Sequence, residues 1–193
     1  MTRTATELQG ELTRALLGHV EDPGVVAAKI FDAFAVITDE EFDVTVSENL
    51  KLITLDPRGF SGVSVKPGNI RLNWRSLFEK VPELVLTGAG VTQIWLIPFA
   101  ALYLWNLVWS LSKVVILPEH GTVMYALWNS DHDTRRFEED IAQSIVNDFR
   151  SKHGLQPLDR ETFGRLVFDL ERLGCIEITN GKVWLREWTQ RAN

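Results

Sequence analysis

The chain has 193 residues, with 20 Lys+Arg against 26 Asp+Glu, a formal charge of −6 and a pI near 5.3. With 45% apolar and 24% charged residues it has the composition of a globular domain, which excludes disorder as the main state. The acid excess argues against a basic coat for nucleic acid, and one cysteine, Cys175, excludes an intramolecular disulfide framework or a multi-cysteine zinc site. Seven Trp is the one compositional oddity. Residues 1–7 lack the apolar core of a secretory signal, and neither end carries a lipidation motif, so the expected compartment is the cytoplasm.

Leu8, Leu12, Leu16 and Val20 recur every four residues and predict an amphipathic helix over 5–20. Asp22-Pro23-Gly24 breaks it, and an Ala-rich apolar stretch predicts a second helix over 24–37. Alternation in 42–47 and the run 50–55 then predict two strands. Lys66-Pro67-Gly68-Asn69 is a turn expected to pair 62–66 with 69–74 as a hairpin. Together these make a small α+β unit with an antiparallel meander over 1–83.

Residues 84–112 carry no charged side chain, long enough on that count for a membrane span. Polar residues interrupt the run, its Trp residues (Trp95, Trp105, Trp109) form no two-ended belt, and no Lys/Arg cluster flanks it. A buried connector helix of about 91–112, broken or kinked near Pro98, is the preferred reading, with membrane insertion as an alternative.

The remainder is better marked. Val114-Val115-Ile116 is expected to form a short strand and Pro118 to open a helix with Val123, Met124, Leu127 and Trp128 inward. A polar loop containing Asp131-His132-Asp133 follows, then a helix over 135–152 with Phe137, Ile141, Ile145, Val146 and Phe149 on its apolar face. The next helix has Asp159 as its N-cap, Leu158 and Phe163 as a hydrophobic staple, and Phe163, Leu166, Val167, Leu170 and Leu173 on one face. Gly174 closes it. Asn180-Gly181 between the runs 175–179 and 182–188 is a strong hairpin signal.

This order of elements over 113–193 resembles a winged helix. With the preceding segments, the resemblance gives an expected fold of class α+β: N-terminal helices with a small antiparallel meander (1–83), a central apolar helix (84–112) and a C-terminal winged helix (113–193). It also implies that the helix 159–173 and the wing 175–188 carry the binding surface, for DNA or for protein. The outward face of that helix holds Glu161, Arg165, Phe168 and Arg172, with Asp169 at its edge. Two arginines could reach phosphates, but a carboxylate and a phenyl ring suit a DNA face poorly. Lys182 is the wing's one tip cation, and Arg186 is expected on the same side of the last strand as Trp184 and Trp188, an interface composition.

The expected partner-binding residues are therefore Arg165, Phe168, Arg172, Lys182, Trp184, Arg186 and Trp188, and a protein partner or self-association is preferred to nucleic acid. Catalytic signals are weak. His132 has no second His at ligand spacing, Cys175 lies in a buried strand, and the glycines of 86–92 lack phosphate-loop spacing. No enzyme activity, cofactor, metal or small-molecule substrate is expected.

Overall fold

The computed structural model describes residues 3–37, 64–65, 70–86, 93–109, 114–130 and 135–190. These form a mixed α+β structure of helices and small antiparallel sheets. The strands expected at 42–47 and 50–55, the Pro-Gly turn at 66–69 and the glycines of 87–92 lie outside the described residues.

Strand β1 (Arg3–Thr4) leads into α1 (Ala5–Leu16) through a capping box. The Glu7 N–H donates to Thr4 Oγ1 at 3.2 Å, and the Thr4 N–H to Glu7 Oε2 at 2.8 Å. Leu8, Leu12 and Leu16 are fully buried as their spacing requires. The helix stops at Leu16 rather than at 20, because the chain turns through Gly18 at φ +79°, which glycine adopts without steric cost. Helix α2 (Pro23–Phe34) has Asp22 as its cap and Pro23 in its first turn. Residues expected to extend it form strand β2 (Ala35–Ile37) instead.

The expected hairpin is corrected. Strand β3 (Ser64–Val65) pairs with β1, and β4 (Ile70–Asn73) pairs with β2 on one side. On its other side β4 takes β8 (Trp188–Gln190), more than a hundred residues downstream. With both edges occupied, β4 has none left for residues 64–65. Helix α3 (Trp74–Leu86) follows at once, started by the Asn73 side chain, whose Oδ1 accepts the Ser76 N–H at 2.9 Å. Its helical character was not expected.

Helix α4 (Leu96–Trp109) starts later than the expected 91, after a turn at 94–95, and Pro98 sits in its first turn, where no intrahelical N–H is required, rather than at a kink. Fourteen residues span about 21 Å, against about 30 Å of hydrocarbon. Among the described residues no helix is long and apolar enough to cross a membrane. The uniform apolarity of α4 has another cause: α1, α2 and α5 (Pro118–Trp128) all pack on it, burying Ile97, Ala100, Ala101, Leu104 and Trp105 completely.

Residues 114–117 form no strand. Val115 is 74% exposed, while Val114 is buried and its carbonyl accepts from Asn106 Nδ2. The corresponding strand is β5 (Arg136–Glu138), carved from the start of the expected helix, so that α6 begins at Glu139 and runs to Lys152. Its buried stripe is Ala142, Val146 and Arg150, with Ile145 and Phe149 half-buried; Ile141, one step off the stripe, is 47% exposed. Helix α7 (Arg160–Arg172) and strands β6 (Ile176–Thr179) and β7 (Lys182–Leu185) complete a sheet of order β5-β7-β6. The β6–β7 turn uses Asn180 and Gly181 at φ +53° and +71°, the left-handed pair that a two-residue hairpin demands.

One hydrophobic cluster runs from Ala5 to Leu185. Two buried indoles tie distant parts of the chain together: Trp74 Nε1 donates to Thr189 Oγ1 at 2.7 Å, and Trp105 Nε1 to the Leu173 carbonyl at 2.7 Å. The described parts of 1–83, 84–112 and 113–193 thus share a core, and the first and last also share a sheet through β4 and β8.

Candidate functional site

Helix α7 is marked out by local chemistry at its start. Asp159 Oδ1 accepts the Thr162 N–H at 2.7 Å, and this bond holds the carboxyl below its ordinary pKa. Leu158 and Phe163 are both buried across the helix start. Phe163, Leu166, Val167, Leu170 and Leu173 all face the core, so the phase of the helix is set. Glu161, Arg165, Phe168 and Arg172 consequently face outward.

Phe168 is 54% exposed. The Arg172 guanidinium lies 6.0 Å from the centre of its ring, and Arg172 Nη1 is 3.8 Å from Asp169 Oδ1. The other oxygen of Asp169 turns inward, 3.6 Å from Nε2 of the buried His120. Glu171 is also drawn aside: its Oε1 accepts the Ile178 N–H at 3.0 Å, occupying a donor of strand β6.

The wing residues behave differently. Lys182 Nζ is 2.7 Å from Glu138 Oε1, and Arg186 Nη2 donates to Glu177 Oε2 at 3.0 Å. Each wing cation thus has an adjacent carboxylate. Trp184 is half-buried beneath the Arg136 guanidinium, 3.4 Å from the ring centre. Trp188 has Arg71 5.2 Å from its ring centre and belongs to the other sheet. The expectation of Arg186 flanked by two Trp on one strand is therefore corrected. The run 182–188 is two strands, because the chain leaves the β5-β7-β6 sheet after Leu185 to reach β4.

The structure divides the seven expected residues. Arg165, Phe168 and Arg172 share one helix face; Lys182 and Trp184 share the outer face of β7; Arg186 and Trp188 lie at the crossing between sheets. Sequence reasoning missed Arg136, Glu138 and Ile141, which with Lys182 and Trp184 line an open groove of about 480 Å³. The register Arg136↔Trp184 and Glu138↔Lys182 brings them together, and no local signal announces it.

Of the histidines, His132 lies outside the described residues, and His153 packs against the rings of Trp95 and Phe149. Burial pushes the Cys175 thiol far up, away from thiolate chemistry. Among the described residues no group of three or more His, Cys, Asp or Glu is placed to hold a metal ion. Comparison with protein-family models, with curated proteins and with solved structures finds no match for the chain.

Proposed function

We propose that the protein is a non-enzymatic interaction module, an accessory or regulatory subunit that docks another protein on the outward face of α7. In this reading α5 to β7 is a winged helix. Its support is the order helix, strand, helix, helix and tight hairpin, with β5 pairing on the hairpin strand β7. The observation that carries the reading is Phe168: a phenyl ring left 54% exposed on an otherwise well-phased helix gains most when another surface covers it. Duplex DNA is the weaker reading. Lys182 and Arg186, the wing cations that would meet phosphate, already sit beside Glu138 and Glu177.

The test compares the full-length protein with Phe168→Glu. Because Phe168 makes no core contact of consequence, the variant should unfold within about 0.5 kcal/mol of wild type. Chemical cross-linking in the native host should lose a specific adduct, or light scattering should lose self-association. Unchanged association rejects the α7 face as the docking surface. Tight duplex binding at physiological salt, lost in an Arg165→Ala/Arg172→Ala double variant, replaces protein by DNA as the partner.

A further inference from the structure

Resting on that reading, we infer that the occupant of the α7 face is an acidic segment that presents an apolar side chain to Phe168. Arg165 and Arg172 stand three residues before and four after Phe168, so all three share one helical face, and the Arg172 guanidinium lies 6.0 Å from the ring centre. Two carboxylates of this helix are already engaged. Asp169 directs Oδ2 at the buried His120, and Glu171 is held by the Ile178 N–H. Asp169 keeps its second oxygen 3.8 Å from Arg172 Nη1, which steadies that guanidinium beside the ring.

The result is an exposed ring that shares its helical face with two fork-shaped cations. Guanidinium forks match carboxylates in geometry as well as in charge. Glu161, exposed one turn before Arg165, ends the cationic stretch and would repel an acidic segment that slid toward the helix start. Phosphate would use the arginines but leave the ring uncovered, whereas a segment alternating acidic and apolar side chains engages all three residues.

Three synthetic amphipathic peptides test this, with Leu at helical spacing and Glu, Gln or Lys at the remaining positions. Binding to the full-length protein is read by fluorescence anisotropy. The Glu peptide should bind about tenfold more tightly than the Gln peptide and should weaken between about 50 and about 200 mM salt. Phe168→Ser should weaken the Glu and Gln peptides alike, while Arg165→Glu should erase the preference for Glu and favour Lys. Arg165→Gln, which should erase the preference without reversing it, serves if the Glu variant melts early. Equal binding of the Glu and Gln peptides, still dependent on Phe168, overturns the acidic occupant and leaves the docking reading standing. No Phe168-dependent binding of any peptide overturns both. A duplex oligonucleotide that outcompetes the Glu peptide through the same arginines overturns the inference in favour of nucleic acid.

Discussion

His120 Nε2 lies 3.6 Å from Asp169 Oδ2, joining the start of α5 to the inner edge of α7 at a site where the imidazole is 1% exposed. His120 Nδ1 faces the start of α5, 3.0 Å from the Leu117 nitrogen and 3.3 Å from the Leu117 carbonyl oxygen, while Nε2 faces the carboxylate. One residue therefore caps a helix with one nitrogen and addresses a second helix with the other.

Acid should destabilise the protein through this histidine. Burial lowers the His120 pKa and outweighs the Leu117 carbonyl, 3.3 Å from Nδ1, and the carboxylates of Asp169 and Glu119, all of which favour the protonated ring. The unfolded chain takes up a proton near the ordinary value of 6.5, while the folded chain resists doing so. Unfolding thus binds protons in this window, and the stabilisation is present above about pH 6.5 and lost as the pH falls below it. Urea midpoints at pH 7.5 and 5.5 should drop further for wild type than for His120→Gln. Equal drops would remove His120 as the cause.

Leu170→Ala should cost about 2–5 kcal/mol. Leu170 is fully buried at the centre of the α7 stripe, beside the Leu166 and Leu173 side chains. Denaturant unfolding monitored by tryptophan fluorescence measures the loss, and a midpoint equal to wild type would contradict the packing of α7.

Gly121→Ala should destabilise, although Ala is the better helix former by about 1 kcal/mol. A methyl at position 121 would lie 2.4 Å from the Trp95 carbonyl oxygen and 2.8 Å from Phe99 Cβ, where α4 and α5 approach most closely. The backbone oxygen cannot rotate away, so the helices must part, at a cost of about 1–3 kcal/mol. A raised melting temperature would show that the two helices are farther apart.

Thr189→Val should weaken the protein by about 1–3 kcal/mol, while Thr189→Ser should be milder. The hydroxyl accepts from Trp74 Nε1 at 2.7 Å and donates to the Gly174 carbonyl at 3.2 Å. Valine keeps the shape but strands a buried indole N–H, whereas serine keeps the hydrogen bonds. Equal melting temperatures for the two variants would mean that the hydroxyl contributes little.

What could be read in advance was what is encoded locally. Asp159, the Leu158–Phe163 staple and the five-residue stripe define α7 within one short window, and Asn180-Gly181 defines its hairpin. Phe168 could be placed outward because a helix phase follows from its own core residues. Pairing across distance could not be read. Nothing in Ile70–Asn73 names Trp188–Gln190 as its neighbour, and a Pro-Gly turn beside it advertised a hairpin that the chain does not use. The paired state of Lys182 and the cover over Trp184 depend on cross-strand register, which emerges only when β5 is recognised as a strand. The lone run 182–188 concealed a change of sheet for the same reason: alternation is continuous across it, and only the bend after Leu185 separates the two halves.

The pairing of β4 with β8 sets a schedule for the growing polypeptide. Thr189 emerges from the ribosome 115 residues after Trp74, its buried hydrogen-bond partner. At about 5–20 residues per second that interval is roughly 6–23 s. Until β8 arrives, β4 offers an open edge beside Leu72, and the Trp74 indole N–H waits for its acceptor. The early part of the chain is therefore a nascent product with a sticky flank, and chaperone contact during translation should fall on this strand.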